Sequence, residues 1–145
     1  MNIKGVIITD ENYSNTVNAT EFALRYFRDL HHNTTELSIE DGYQDGDVVV
    51  VSLPYVNDNI AAGYESTVKT LYTDKNVIWI VLLIKDDVLE KGTILLDKFI
   101  HNLEEGKDVY TERFTEMTSE RDIPLQTRAM MRIMGVCDKV IKKYS

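Results

Sequence analysis

The chain alternates short apolar runs with longer stretches in which apolar residues recur every three or four positions. The apolar runs predict five strands, at about residues 2–8, 34–39, 48–51, 77–84 and 109–114. The helical spacing predicts four helices, at about residues 15–31, at 63–72, ending near 103, and from about 124 onwards. The inward face of the first helix is predicted to carry Ala19, Ala23, Phe27 and Leu30.

Two of the predicted strands, 48–51 and 77–84, are apolar at every position. A strand of this kind is covered on both faces, which is typical of the central strands of a parallel sheet. Pro54 is predicted to end the first of them, because proline has no backbone N–H to donate to a ladder. Strands and helices alternate without a repeat or a linker. We therefore predict one doubly wound α/β domain over residues 1–145, with five parallel strands and helices on both faces.

Three polar connections, at residues 9–16, 53–62 and 85–87, follow predicted strands. In a parallel sheet these connections gather at the carboxyl ends of the strands, where open α/β sheets bind their ligands. We expect any chemical site of this protein to lie there.

The charge of the chain narrows the class of partner. Its 24 Asp and Glu residues against 16 Lys and Arg residues give a net charge of −8. This charge argues against a nucleic-acid partner and is compatible with docking onto a basic protein surface. No apolar run is long enough to span a membrane, and the amino terminus lacks the pattern of a secretory signal. The cytoplasm is the expected location.

Several kinds of catalytic site are not supported by the sequence. A single cysteine, Cys137, lies in a helical pattern, where a buried and inert thiol is expected. His31 and His32 are adjacent and His101 is alone, so they do not form a zinc-binding pattern. No G-x-G-x-x-G, no phosphate-binding G-x-x-x-x-G-K-[ST] and no G-x-S-x-G elbow is present. Ser52 ends the third strand where a phosphoacceptor receiver domain needs an aspartate.

The order of the elements, Ser14-Asn15-Thr16 at the start of the first helix, and Leu53-Pro54-Tyr55 after the third strand resemble the flavodoxin family. The resemblance covers nearly the whole chain at the level of pattern. It implies a three-layer α/β/α sandwich with strand order 2-1-3-4-5. It also implies non-covalent binding of FMN, electron transfer, and a redox partner protein that docks on the acidic surface.

The resemblance also implies which residues bind the cofactor. Thr9, Ser14, Asn15 and Thr16 correspond to the loop that binds the FMN phosphate, with Ser14 in place of the usual glycine. Pro54 and Tyr55 in the second connection, and Asp86 and Asp87 in the third, correspond to the residues around the flavin ring.

The same residues have a second interpretation without a ligand. Ser14 and Asn15 suit the N-cap of the first helix, and Asp86 and Asp87 suit the N-cap and first turn of the third. Two functions therefore stay open at this stage. The first is FMN binding with electron transfer, and the second is a flavin-free module of the same fold for protein interaction or regulation.

Overall fold

The computed structural model describes residues 1–8, 14–38, 46–56, 59–61, 63–73, 76–85, 98, 101, 102, 105, 108–118 and 127–144. The strands among them are β1 (Asn2–Val6), β2 (Asn33–Leu37), β3 (Val48–Val56), β4 (Asn59–Ile60), β5 (Ile78–Lys85) and β6 (Val109–Thr118). The helices are α1 (Ser14–Asp29), α2 (Glu65–Thr73) and α3 (Thr127–Tyr144). In the predicted third helix, Lys98, His101 and Asn102 are helical, and most of the segment lies outside the described residues.

The strands form one sheet in the order β2-β1-β3-β5-β6, and all neighbours in this order are parallel. The two-residue β4 pairs antiparallel with the end of β3. Without β4 the order is 2-1-3-4-5. The fold class predicted from the sequence is confirmed.

Successive side chains of each strand point to opposite faces, so the sheet has two separate cores. Val48 and Val50 of β3 face α1 and α3, whereas Val49 and Val51 face α2. This alternation explains why β3 and β5 are apolar at every position. The helices cover both faces, and the three layers follow from that arrangement.

The packing of α1 requires a glycine in β1. A Cβ at Gly5 would lie 2.5 Å from Cδ1 and 2.9 Å from Cγ of Leu24 on α1. Leu24 is itself fully buried, so its side chain has little room to move. The absence of a side chain at Gly5 lets the helix approach the sheet closely.

Two local predictions are wrong. Strand β3 does not end at Pro54 but continues to Val56, and Pro54 pairs with Ile84 of β5. Strand β1 pairs with β3 only as far as Val51, so at Pro54 no β1 residue is present to accept an N–H. Proline is tolerated where a strand extends beyond its neighbour.

The predicted position of Leu30 is also wrong. It was predicted on the inward face of the first helix, but α1 ends at Asp29 and Leu30 is 43% exposed. His31 follows with a φ of 69°, and this left-handed residue turns the chain towards β2. The other three predicted positions, Ala19, Ala23 and Phe27, are all buried.

Candidate functional site

The candidate site lies at the carboxyl ends of β1, β3 and β5, beside the start of α1. β1 ends at Val6, β3 at Val56 and β5 at Lys85, and α1 starts at Ser14. The buried positions at the start of α1 are Thr16, Ala19 and Thr20, at the spacing that holds one helical face against the sheet. The amino-terminal turn of α1 is therefore fixed beside the strand ends.

The first turn of α1 has the composition of an anion site. It contains no acidic residue, so no carboxylate of this turn neutralises the partial positive charge of the helix N-terminus. Ser14 and Asn15 lie in this turn, and the side chain of Thr16 is 2% exposed. Free N–H groups at a helix start bind phosphate without a lysine. Thr9, which was predicted to join them, lies outside the described residues.

A buried hydrogen bond joins α1 to β3 one turn further along. The hydroxyls of Thr20 and Ser52 are 2.7 Å apart, and both side chains are at most 4% exposed. Thr20 is not among the residues that the sequence pattern predicts for the site. Its position four residues after Thr16, on the same helical face, was the available indication. Ser52 therefore has a structural partner where a receiver domain would carry its aspartate.

Tyr55 was predicted to lie in a loop beside the flavin ring, but the structure places it within β3. Its side chain is 1% exposed and belongs to the core on the α2 side of the sheet. Its hydroxyl donates to the backbone carbonyl of Phe114 at 3.2 Å. Because β5 lies between β3 and β6, the tyrosine crosses a whole strand to make this bond.

The carbonyl of Phe114 marks an irregularity in β6. Ile84 of β5 pairs with Phe114, whereas the next residue, Lys85, pairs with Thr118. Three residues of β6 are thus accommodated between two consecutive partners on β5, as in a bulge. The bond from Tyr55 holds β6 where its regular ladder stops.

Comparison with solved structures supports this description of the fold. A flavodoxin from Streptococcus pneumonia TIGR4 superposes with a TM-score of 0.62 at 12% identity, covering 98% of this chain and 97% of that one. Flavodoxin 1 from Bacillus cereus gives 0.59 at 11% identity, with coverage of 99% and 98%. This chain has a flavodoxin-like fold.

The flavodoxin-like fold also occurs inside a larger protein. Rubredoxin oxygen:oxidoreductase from Desulfovibrio gigas gives a TM-score of 0.63 at 11% identity, covering 99% of this chain. The present chain corresponds to 35% of that protein's length. No protein-family model matches the sequence, and no curated protein matches it either.

The residues of the candidate site fit the phosphate of FMN better than its ring. The first turn of α1, free of acids and with Thr16 beside it, suits a phosphate. The ring of Tyr55 offers almost no exposed surface, so stacking on a flavin requires its neighbours to move first. Pro54 is buried in β3, and its carbonyl accepts from the Ala61 N–H at 2.9 Å.

Two of the residues predicted around the flavin ring, Asp86 and Asp87, lie outside the described residues. Within them, no three His, Cys, Asp or Glu side chains are grouped closely enough to hold a metal ion. Among the helices described, none combines the length and the apolar character needed to cross a membrane.

Proposed function

We propose that this flavodoxin-like protein binds FMN non-covalently at the carboxyl ends of its strands and transfers electrons to or from a partner protein. The observation that carries the proposal is the start of α1, where an acid-free first turn and the buried Thr16 lie beside the end of β1. The fold supports it, because the flavodoxins compared above superpose over nearly the whole chain.

Each predicted residue has a role in this proposal. Ser14, Asn15 and Thr16, with Thr9 before them, bind the phosphate through backbone N–H groups and hydroxyls. Pro54 and Tyr55, near the end of β3, are proposed beside the flavin ring, and Asp86 and Asp87 are proposed to accept hydrogen bonds from N–H groups of the ring. When bound, the flavin accepts and releases the electrons, while the protein sets its orientation and electrostatics.

The partner is proposed from the distribution of charge. Acidic residues follow each central strand in the sequence: Asp10 and Glu11 after β1, Asp58 after β3, and Asp86 and Asp87 after β5. An acidic edge around the cofactor favours encounter with a basic partner surface.

We also propose that the protein lies in the cytoplasm and that residues 1–145 form one domain.

Reconstitution with FMN tests the proposal. The purified chain is mixed with excess FMN, desalted and examined for flavin absorbance. We expect a yellow protein. In its NMR spectrum, the amide signals of residues 14–16 are expected to shift on FMN binding. A folded protein that stays colourless at micromolar concentration would contradict the proposal.

A pair of valine variants sharpens the test. Thr16→Val is expected to weaken FMN binding about tenfold or more, because a hydrogen bond to a charged group contributes about 1.5–3 kcal/mol. Thr20→Val is the matched control: it removes another buried hydroxyl from the same face of α1, one turn further from the proposed phosphate. Equal loss of affinity in both variants would show that the effect comes from packing and not from the phosphate.

The burial of Tyr55 favours a second candidate, a flavin-free module of the same fold. A ring that is 1% exposed and hydrogen-bonded to Phe114 is part of the core. The wild type, Tyr55→Phe and Thr16→Val are compared after desalting from FMN. If all three are folded and none retains FMN, the flavin-free module is the better account.

A further inference from the structure

A groove of about 570 Å³ lies between α1, β2 and the start of α3. Its apolar lining comes from Phe22, Leu24 and Met130. Arg25 and Arg28, three residues apart on α1, line it as well. This volume is within the range of protein ligand sites and has room for several side chains.

The two guanidinium groups of the groove are held by contacts that leave their charge available. Cζ of Arg25 lies 5.7 Å from the centre of the Phe22 ring. Nε of Arg28 donates to the hydroxyl of Thr34 at 3.1 Å. Within the described part of the chain, neither arginine forms an ion pair with a carboxylate. Arginine in this state is suited to bind a carboxylate through two hydrogen bonds.

The lining of the groove has no net charge, because Glu21 and Glu36 balance the two arginines, and the positive charge on this side of the molecule comes from α3. This helix contains five of the 16 Lys and Arg residues of the chain and one of its 24 acids, so it has a charge of +4 while the rest of the chain has −12. Arg128, Lys139, Lys142 and Lys143 are exposed, and Met131 is 62% exposed among them. At about 1.5 Å per residue an 18-residue helix extends about 27 Å, which is longer than a small ligand. We call the exposed surface of α1 and α3, with the groove, the α1–α3 face.

We propose that the α1–α3 face docks an acidic segment of a partner protein. Carboxylates of the segment contact Arg25 and Arg28, and one of its apolar side chains enters the groove. Arginine, methionine and aromatic residues are enriched at the centres of protein interfaces, and the groove combines all three. The net positive charge of this face comes from α3, so the inference does not depend on the acidic edge or on FMN.

Two features favour a protein over other anionic partners. Glu21 and Glu36 also line the groove and would repel a uniformly charged nucleic acid, whereas a protein segment can place neutral groups opposite them. The apolar side of α3, with Ile133, Val136 and Val140, is buried in the core and is not free to enter a lipid surface.

NMR of the full chain tests the proposal with a defined probe. The ¹⁵N-labelled protein is titrated with a synthetic peptide of about twelve residues that is rich in glutamate and carries two leucines. We expect shifts of the amide signals of residues 18–28 and 127–131. Binding is expected to weaken several-fold when salt rises from about 50 to about 200 mM. The same peptide with lysine in place of glutamate is expected not to bind.

Two charge variants separate this face from the rest of the surface. The double variant Arg25→Gln/Arg28→Gln is expected to bind the glutamate peptide about tenfold more weakly. Its unfolding temperature is expected to fall by only a few degrees, because both arginines are exposed and lose one surface contact each. Lys69→Gln is the matched control, since Lys69 is an exposed cation on α2 at the opposite face of the sheet. Its affinity is expected to equal that of the wild type.

Several results would overturn the proposal. They are no binding at millimolar peptide, shifts confined to α2, or equal loss of affinity in the Lys69 control. Tighter binding of phosphatidylglycerol vesicles or of a single-stranded oligonucleotide, lost in the double variant, would assign the face to those anions instead. A monomer–dimer equilibrium that the double variant abolishes would assign it to a second copy of this chain.

Discussion

The two faces of the sheet are filled in different ways. On one face, α1 and α3 pack on strand residues that are aliphatic except for Phe114, closely enough to require Gly5 and to enclose the bond between Thr20 and Ser52. On the other face, three large aromatic residues, Tyr55, Trp79 and Tyr64, take part of the core volume beside α2. Two of the three come from strands.

The difference shows how one strand contributes to a core and to a candidate site. Ser52 and Tyr55 are three residues apart on β3 and so point to opposite faces. Ser52 meets a helix hydroxyl, whereas Tyr55 extends under β5 to β6. An aromatic residue near the carboxyl end of a strand is therefore not by itself a ligand platform. Substitutions on the two faces are therefore expected to differ in cost, and the largest is expected at Tyr55.

Tyr55→Ala is expected to lower the free energy of unfolding by about 3–5 kcal/mol, because it empties a fully buried position. Tyr55→Phe keeps the ring but removes the hydroxyl that donates to Phe114, and is expected to cost about 1 kcal/mol. Urea denaturation measures both. A cost below about 1 kcal/mol for the alanine variant would mean that the side chain is not part of the core.

On the opposite face, Gly5→Ala is expected to cost about 1–3 kcal/mol by overpacking against Leu24. A double-mutant cycle with Leu24→Ala checks the cause. The cost of the Gly5 substitution is expected to fall when Leu24 is shortened, because the clashing atoms are gone. Additive costs would show that the close approach is not responsible.

The buried hydroxyl pair is the next test. Thr20→Val and Ser52→Ala each leave one buried hydroxyl without its present partner, at a cost of about 1–3 kcal/mol. The double variant removes both hydroxyls and is expected to be more stable than the sum of the single variants predicts. Chemical denaturation of the four proteins gives the coupling, and a coupling of zero would rule out the bond as a stabilising contact.

The smallest effect is expected at the surface contact between α1 and α3. The hydroxyl of Tyr26 donates to Asp138 at 2.6 Å, and this bond, with partial burial and the carboxylate charge, raises the pKa of Tyr26 from 10 to about 12. The folded state thus retains a proton that the unfolded state loses, so the contribution is present below pH 10 and is lost as pH rises towards 12.

Tyr26→Phe is accordingly expected to cost less than about 1 kcal/mol at neutral pH, and the difference from wild type is expected to shrink above pH 10. Ultraviolet titration of the tyrosines in wild type and in Asp138→Asn measures the shift directly. The asparagine variant is expected to bring the pKa of Tyr26 down. An unchanged titration would show that Asp138 is not its partner.

Much of the fold could be predicted from local pattern. The all-apolar runs of β3 and β5 identified the two central strands, and the buried Ala19, Ala23 and Phe27 confirm the inward face of α1. The candidate site was located only by its edge of the sheet. The contacts around it are not contained in a local pattern, and the bond between Thr20 and Ser52, one helical turn away, is an example.

By itself, the sequence determined the order of strands and helices, the inward positions Ala19, Ala23 and Phe27 of α1 and the parallel sheet, because helical spacing and all-apolar runs are local properties of the chain. Only the tertiary structure decided that β3 continues through Pro54, since this depends on where β1 stops. It also decided that Tyr55 is buried, since its hydroxyl partner, Phe114, lies 59 residues further along the chain. The groove between α1, β2 and α3 likewise exists only once these three elements are packed together.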